Sequence, residues 1–230
     1  MKLTIGHLFP DLLNLYGDRG NIQCMVQRLR WRGIDSEVKT YSLEDNIDFE
    51  NLDIILLGGG SDREQMLVCN RLKEIKDKFK SYVEDNGVVI AICGGYQLFG
   101  HYYQPHDKDK LKGLSLMDAY TVAGKKRFIG NVTIKTDFLS PNTLVGFENH
   151  SGLTYIQGDT KPLGITVVGN GNNSKDGLEG GRYKNVFGTY LHGSLLPKNP
   201  HFADYLIELA LECRYGEKIK LSKLDDTLEW

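Results

Sequence analysis

The sequence predicts an α/β protein with three layers, in which helices flank a mostly parallel central sheet and a β-rich region is added. Two observations support this class. In the first hundred residues, strand-like runs, among them the apolar runs Leu52–Leu57 and Val88–Ile92, alternate with segments of helical spacing. In the second half, β-type segments alternate with turn residues. The sequence has no internal repeat and no linker-like stretch, so we predict one domain over residues 1–230.

The first hundred residues supply the predicted parallel sheet. Its strands are predicted at Leu3–Phe9, Ser36–Ser42, Leu52–Leu57 and Val88–Ile92. A helix that ends near Gly33 follows the first strand, and a long amphipathic helix follows the third. The apolar face of that long helix comprises Val68, Leu72, Ile75, Phe79 and Val83. In such sheets the carboxyl ends of the strands share one edge, where sites form.

The second half of the chain carries the β-rich region and a last helix. Strand-like segments are predicted at Arg127–Thr136, Thr143–Glu148, Leu163–Gly169 and Arg182–Tyr190. Residues 169–181 are rich in glycine and asparagine, which predicts a mobile hairpin or loop. The last helix is predicted from a cap at Asn199 to a stop at Gly216. The tail after about residue 221 is expected to be loosely packed or ordered by a partner.

Composition narrows the class of function. The 230 residues are 40% hydrophobic and 25% charged with a formal net charge of −2, so the overall charge does not favour nucleic acid. The basic clusters Lys108–Lys112 and Lys125–Arg127 are short, and we interpret both as solvent-exposed faces. The sequence enters a strand directly after Met1 and has no apolar run long enough to span a membrane, which predicts a cytoplasmic protein. None of the four cysteines has metal-ligand spacing, so no metal is expected.

One cysteine occupies a distinctive turn. The apolar strand Val88–Ile92 ends in Cys93, and Gly94 and Gly95 follow before a helical turn begins. A nucleophile between a buried strand and a helix N-terminus faces backbone N–H groups that can hold an oxyanion. The same helix N-terminus is expected to lower the pKa of the thiol. Cys93 is therefore the candidate nucleophile, and the Gly94 N–H is a candidate oxyanion donor.

A cysteine nucleophile needs a base, and histidine is the usual one. His192 is the best placed of the six histidines, because it follows the strand-like run Val186–Leu191 and a glycine then turns the chain. An imidazole at the end of one strand can meet a cysteine at the end of a neighbouring strand. His150, between Asn149 and Ser151, is the second candidate.

These motifs together resemble those of the class I glutamine amidotransferases, which have a flavodoxin-like fold. Cys93–Gln97 is similar to the nucleophile turn of that family, and His192 lies where the family keeps its catalytic histidine. Gly58–Gly60 and the polar residues after it resemble the oxyanion loop of the cobyric acid synthase-like (CobB/CobQ-type) branch. More narrowly, residues 14–21, 57–65, 146–152 and 188–193 resemble the GatD family, the glutaminase subunits of lipid II isoglutaminyl synthase.

The resemblance implies a glutaminase mechanism. Cys93 would attack the side-chain amide of L-glutamine to form a γ-glutamyl thioester, and His192 would carry the protons. The N–H groups of Gly94, Gly59 and Gly60 would hold the oxyanion. Ammonia would leave first, and water would then release glutamate.

The same resemblance assigns the residues that bind the substrate. Arg127 would clamp the α-carboxylate of glutamine, since a guanidinium binds a carboxylate through two hydrogen bonds. Gln97 would lie near the bound amino acid. The alternatives are a solvent-facing arginine in a basic cluster and an ordinary helix residue.

One position departs from the wider family. Most class I members have a glutamate two residues after the catalytic histidine, where this chain has Ser194. A hydroxyl can orient an imidazole but stabilises the imidazolium less than a carboxylate does. We therefore hypothesise that the isolated chain is a weak glutaminase, and that a carboxylate from a partner completes the site.

The resemblance also implies a partner. The chain has no phosphate-binding Gly-x-x-x-x-Gly-Lys-Ser/Thr motif and no room for a ligase domain, so no cofactor is expected in it, and ATP and magnesium are expected on the partner subunit. For this family the partner is a MurT-type, Mur-ligase-like synthetase in a heterodimer. That synthetase amidates the D-glutamate of lipid II to D-isoglutamine in peptidoglycan synthesis. Lipid II is thus expected to be reached through the partner, at the inner face of the bacterial membrane.

Three alternatives remain open from the sequence. The acceptor of the ammonia could be another one, as in the cobyric acid synthase-like branch. A DJ-1/PfpI-like cysteine enzyme shares the sheet and the cysteine turn, although the triple glycine and Gln97 argue against it. A non-catalytic subunit with an inert buried Cys93 is the third.

Overall fold

The computed structural model describes residues 1–14, 17–106 and 109–228. Leu15 and Tyr16 of the 14–21 motif therefore lie outside the described residues, as does Lys108 of the first basic cluster. The last two residues of the predicted tail lie outside them as well. All candidate site residues lie inside the described ranges.

The predicted parallel sheet is present and is built mainly from the first half of the chain. Its strands are β1 (Lys2–Leu8), β2 (Asp35–Tyr41), β3 (Ile54–Leu57), β4 (Val88–Ile92), β11 (Gly181–Tyr183) and β12 (Val186–Thr189). They lie side by side in the order β11-β12-β4-β3-β1-β2. All neighbours pair in parallel except β11, which pairs antiparallel with β12 at the edge. The α/β class predicted from the sequence is confirmed.

Helices cover both faces of this sheet. They are α1 (Arg19–Arg30), α2 (Asp62–Glu74), α3 (Lys76–Glu84), α4 (Gly94–Phe99) and α5 (Pro200–Tyr215). The sheet extends in opposite directions from β1, so right-handed crossovers place α1 on one face and α2 with α3 on the other. Helix α5 packs beside α1. Because both faces are covered, every residue of β3, β4 and β12 is buried.

The β-rich region forms a second sheet. Its strands are β5 (Tyr102–Gln104), β6 (Leu111–Lys112), β7 (Ala119–Lys135), β8 (Thr143–Ile156), β9 (Gly164–Val168) and β10 (Leu178–Glu179). The long hairpin of β7 and β8 is its centre, with a register shift between Ala123 and Phe128. An antiparallel bridge between Phe147 and His192 joins β8 to the chain that leaves the first sheet. The second sheet therefore borders the edge where the candidate site lies.

The prediction of one long amphipathic helix after β3 is wrong in one respect, because the structure has two helices there. At Ile75, between α2 and α3, the backbone leaves helical geometry with φ −102° and ψ 9°. The break directs α3 towards the turn before β3, where Phe79 packs on Phe49 with ring centroids 5.3 Å apart. Apolar spacing continues through the break, so it gives no local signal.

The tail after residue 221 runs along α1 and α5. The buried Arg28 guanidinium binds Asp204 of α5 and Asp226 of the tail at 2.6 and 2.7 Å. Arg32 Nε donates to the Ser222 carbonyl at 2.8 Å. Over residues 1–14, 17–106 and 109–228, no helix has the length and apolar character that a bilayer span requires.

Candidate active site

Cys93 sits on a strained turn between β4 and α4. Its backbone has φ +50° and ψ −104°, a conformation that residues other than glycine rarely adopt. Behind it, a Cβ on Gly94 would lie 2.8 Å from Gln65, and one on Gly95 would lie 2.8 Å from the Leu57 carbonyl oxygen. The two glycines after the cysteine are therefore required by close packing. This geometry matches the nucleophile turn that the sequence predicts.

The thiol of Cys93 is buried, with 6% of the residue exposed. Burial, together with the carboxylate of Asp18, raises its pKa to about 12, although the Gly94 N–H and the Arg127 guanidinium act in the opposite direction. The prediction of a lowered thiol pKa is therefore wrong for this structure. Helix α4 spans only residues 94–99, and its N-terminus does not outweigh the desolvation.

His192 lies at the same edge of the sheet as Cys93. Strands β4 and β12 are parallel neighbours whose register pairs Ile92 with Thr189, and the Cys93 N–H donates to the Thr189 carbonyl at 2.9 Å. Cys93 thus follows its strand directly, and His192 lies three residues beyond the end of β12. The strand ends earlier than predicted, because the chain from residue 190 onwards turns to meet β8. There the His192 N–H donates to the Phe147 carbonyl at 2.8 Å.

The imidazole of His192 is buried and neutral. Burial, with smaller contributions in the same direction from His150 and from the charges of Arg127 and Lys198, lowers its pKa to about 3. A neutral imidazole is the form that can accept a proton from a thiol. In this structure the candidate pair is therefore a thiol and a neutral imidazole.

The predicted oxyanion loop follows β3, next to Cys93. The Gly95 N–H donates to the Gly58 carbonyl at 3.2 Å, which ties the loop to the cysteine turn. The Gly59 N–H donates to Asp18 Oδ2 at 3.2 Å, and the Gly60 carbonyl accepts from the Gln65 amide at 3.2 Å. The Gly94 N–H interacts with the cysteine sulfur, whereas in this structure the Gly59 N–H is engaged by Asp18.

Arg127 lies on the open side of the site. It occupies β7 at the register shift, is exposed, and donates from Nε to Asn149 Oδ1 at 2.6 Å. Its charge acts on both Cys93 and His192, which places it near the candidate pair. A carboxylate that binds end-on uses the two terminal nitrogens of a guanidinium, so the Nε bond orients the group without preventing such a clamp.

Gln97 is placed differently from Arg127. Its side chain is buried, and its amide Nε2 donates to the Tyr190 hydroxyl at 3.0 Å. The Tyr190 hydroxyl also bonds Thr154 Oγ1 at 2.6 Å. Gln97 therefore contacts a buried hydrogen-bond network of Tyr190 and Thr154, which joins α4 to the chain before His192.

A family model for the CobB/CobQ-like glutamine amidotransferase domain matches residues 4–200, a range that includes every candidate residue above. The chain belongs to this family. The membership predicted from the cysteine turn, the triple glycine and the histidine is thereby confirmed. Membership of this family makes the chain a glutamine-hydrolysing enzyme.

Two curated relatives match almost the whole chain. The subunit GatD of the glutamine-hydrolysing lipid II isoglutaminyl synthase of Staphylococcus aureus is 43% identical, over 99% of this chain and 92% of its own. The GatD subunit of Streptococcus pneumoniae is 41% identical, over 99% and 87%. A probable cobyric acid synthase of Methanococcus maripaludis is 34% identical over 78% of this chain, but the match covers only 37% of that longer protein.

Solved structures agree on the fold. A glutamine amidotransferase crystal structure superposes with a TM-score of 0.59 at 16% identity, covering 90% of this chain and 98% of its own. The glutaminase domain of Trypanosoma brucei CTPS, solved with bound acivicin, gives 0.58 at 10% identity over 96% and 98%. These likenesses support the class I amidotransferase fold.

His150, the second candidate base, is built into the wall of the site. Its ring stacks on Tyr190 with centroids 3.6 Å apart and an interplanar angle of 3°. Its Nδ1 lies 2.9 Å from the Gly152 carbonyl, and burial lowers its pKa to about 4. These contacts anchor the ring as part of the packing around Tyr190.

Ser194 does not take the place of the family's glutamate. Its hydroxyl donates to the Gly17 carbonyl at 2.7 Å, and a Cβ on Gly20 would collide with it. The one proton of the hydroxyl is thus directed to the turn before α1. The sequence suggested that Ser194 could orient the imidazole of His192. In the structure its hydroxyl donates to Gly17 instead.

Two buried residues around the site escaped the sequence analysis. Glu179 lies in the glycine- and asparagine-rich segment, and Tyr190 is an ordinary aromatic residue at the end of a predicted strand. Neither has a local pattern that signals burial of its polar group near the candidate histidine His192. The tertiary fold brings them together, since the Glu179 carboxyl group at the end of β10 accepts the Tyr190 N–H at 2.7 Å.

Proposed function

We propose that this chain is the glutaminase subunit of a lipid II isoglutaminyl synthase, in which Cys93 and His192 hydrolyse L-glutamine and the ammonia passes to a separate ATP-dependent synthetase. The observation that carries the proposal is the strained cysteine turn beside the strand that leads to His192. It occurs in a chain that is 41 and 43% identical to two GatD subunits.

The proposed reaction begins with proton transfer from the Cys93 thiol to the His192 imidazole. The sulfur attacks the side-chain carbonyl carbon of glutamine, and the imidazolium returns the proton to the amide nitrogen as ammonia leaves. A water molecule then gives a proton to His192 and adds to the thioester. Glutamate departs and the sulfur recovers its proton, so the sum is glutamine plus water to glutamate plus ammonia.

Backbone N–H groups stabilise the negative oxygen of each tetrahedral intermediate. The Gly94 N–H already faces the sulfur. For the Gly59 N–H to contribute, it must exchange its bond to Asp18 Oδ2 for one to the substrate oxygen. One such donor is worth roughly 3 kcal/mol in the transition state. Arg127 holds the α-carboxylate in this proposal, and Gln97 supports the site through Tyr190.

The charge state of the site supports a requirement for a partner. The high thiol pKa and the low imidazole pKa both oppose the thiolate–imidazolium form that reacts with an amide. The partner is proposed to be a MurT-type, Mur-ligase-like synthetase that binds ATP and magnesium and activates the D-glutamate of lipid II. This assigns the complex to the cytoplasmic side of the membrane, where ATP is available.

Exposed apolar side chains on the second sheet suit a subunit interface. Four of them lie on β7 and β9 and are more than half exposed: Ile129, Ile165, Val167 and Val168. Phe147 of β8, which bridges to His192, is also exposed. Several large exposed apolar side chains on one sheet are compatible with a protein–protein contact.

The test is reconstitution of the chain with a co-expressed Mur-ligase-like synthetase. We expect ATP-dependent transfer of nitrogen from ¹⁵N-amide-labelled glutamine to the D-glutamate of lipid II, measured by mass spectrometry. A complex that hydrolyses glutamine but labels only a cobyric acid synthase acceptor would assign the chain to another pathway. Consumption of methylglyoxal without glutaminase activity would place it with DJ-1/PfpI-like enzymes.

A further inference from the structure

Glu179 is a completely buried carboxylate that the proposed chemistry does not use. Its exposed fraction is 0%, and it ends the short strand β10. A buried carboxylate carries a large desolvation cost, and an apolar residue of similar size would avoid it. The hydrogen bonds that this carboxylate makes therefore indicate what it is for.

Those hydrogen bonds go mainly to the chain that leads into His192, and the Gly180 N–H adds another. The Thr189 hydroxyl donates to both carboxylate oxygens at 3.0 Å, and the Tyr190 N–H donates to Oε1 at 2.7 Å. The Leu191 N–H in turn donates to Thr189 Oγ1 at 3.0 Å. Residues 189–191 are thus fixed one after another, at the point where β12 ends.

The other end of this segment is held as well. His192 exchanges backbone hydrogen bonds with Phe147 of β8, at 2.8 Å from its own N–H and at 3.4 Å to its carbonyl. Residues 189–192 are therefore held at one end by the Glu179 carboxyl group and at the other end by strand β8. Their course is set by these contacts, since regular pairing with β4 stops at Thr189.

Tyr190 extends the same network to the nucleophile. Its hydroxyl accepts from the Gln97 amide, and Gln97 lies one helical turn after Cys93, whose carbonyl accepts the Gln97 N–H at 3.0 Å. Glu179 fixes the main chain of Tyr190, and the Tyr190 side chain contacts the helix that follows the nucleophile. Glu179 is thus connected to both members of the catalytic pair.

We propose that Glu179 is a positioning residue: by holding residues 189–191, its carboxylate sets the place of the His192 imidazole relative to the Cys93 sulfur. In most class I enzymes a glutamate two residues after the histidine does the orienting, and here that position is Ser194, which bonds Gly17. Glu179 acts instead on the main chain before the histidine. This inference rests on the proposed glutaminase activity of Cys93 and His192.

The test compares Glu179→Gln with the wild type in the complex with the synthetase. The amide has the size of the carboxyl group, but its NH₂ group cannot accept hydrogen bonds from the Thr189 hydroxyl or the Tyr190 N–H. Part of the contact that holds residues 189–191 is therefore lost. We expect at least a tenfold fall in kcat for glutamine hydrolysis, a KM within about twofold, and unchanged ammonia-dependent synthesis. Glu179→Asp, which keeps a carboxyl group on a shorter stem, is expected to recover part of kcat.

A second pair of variants avoids the burial of a new polar group. Thr189→Val removes only the hydroxyl that binds Glu179, and a smaller fall in kcat is expected. Thr160→Val is its matched control, since Thr160 is a buried threonine whose hydroxyl accepts from the Asp118 N–H at 2.7 Å. Its kcat is expected to equal that of the wild type.

The outcomes separate this inference from the function on which it rests. If Glu179→Gln and Thr189→Val fold and keep the wild-type kcat, or change KM alone, Glu179 does not position the histidine. If Thr160→Val loses as much kcat as Thr189→Val, the effect is general loosening and the inference again fails. If the wild-type complex has no Cys93-dependent glutaminase activity, the proposed function itself is wrong.

Discussion

At the scale of single residues, the site combines a predictable backbone with a less predictable charge state. The cysteine turn follows from a strand that runs into two glycines, and the structure gives Cys93 the strained φ of +50° that such a turn needs. The raised pKa of its thiol was not predictable, because it depends on burial and on Asp18, seventy-five positions away in the sequence. Local sequence specifies the turn, whereas the tertiary fold specifies the electrostatics.

Asp18 is expected to restrain the reactivity of Cys93. Its negative charge raises the thiol pKa, so Asp18→Asn should lower that pKa while an amide oxygen still accepts the Gly59 N–H. The rate of Cys93 alkylation by iodoacetamide at pH 8, followed by peptide mass spectrometry, should rise severalfold. Asp11→Asn, at an exposed site, is the control. A slower alkylation in Asp18→Asn would contradict this account.

Arg127 is expected to act on substrate binding. Arg127→Ala should raise KM for glutamine at least tenfold with a smaller change in kcat, because the α-carboxylate loses a charged two-point contact. Arg127→Lys should restore little, since lysine lacks the planar fork. Lys126→Ala, its exposed neighbour in the same basic cluster, should match the wild type in steady-state kinetics. An unchanged KM in Arg127→Ala would remove the clamp from the mechanism.

At the scale of elements, the sequence predicts what is periodic and misses what is held by single polar contacts. The buried strand Val88–Ile92 was predicted to the residue, and α5 begins after Asn199 and stops at Gly216 as expected. Residues 169–181 were predicted to form a mobile hairpin or loop, and a hairpin is present, since β9 and β10 pair antiparallel. In the structure Asn172 and Asn173 of that segment are buried and hydrogen-bonded.

Asn172 illustrates why composition misled at that segment. Its side chain donates to the Gly180 carbonyl and accepts the Gly180 N–H, both at 2.9 Å, so it replaces strand pairing. Asn172→Ala leaves both backbone groups buried without this partner, and should destabilise the fold by about 2–4 kcal/mol. Urea unfolding gives the value, with Asn131→Ala at an exposed strand position as control. A loss below about 0.5 kcal/mol would restore the view of a loosely held loop.

At the scale of the whole molecule, buried titratable groups link stability to pH. Burial lowers the pKa of His7 and His150 to about 4 and that of His192 to about 3. The unfolded chain, with histidine pKa values near 6.5, then binds more protons than the folded chain as the pH falls below about 6.5. Glu179 has the opposite sign, because burial raises its pKa to about 8.

Three histidines outweigh one carboxyl group, so stability should fall as the pH drops from about 6.5 towards 4. Each fully titrating proton contributes about 1.4 kcal/mol per pH unit. Thermal unfolding at a series of pH values measures the trend, and His7→Gln should flatten it by about one proton. The exposed His106→Gln serves as the control. A Tm that rises steadily between pH 6.5 and 5 would show that these histidines are not buried neutral groups.

The central claim is that Cys93 forms the thioester that releases ammonia for a separate synthetase. The most direct measurement is amidation of lipid II by the complex of Cys93→Ala with its synthetase, with glutamine or with ammonium chloride as the nitrogen source. We expect the glutamine-dependent reaction to be lost and the ammonia-dependent reaction to keep its wild-type rate. Loss of both reactions would make Cys93 structural, and retention of the glutamine-dependent one would place the nucleophile elsewhere.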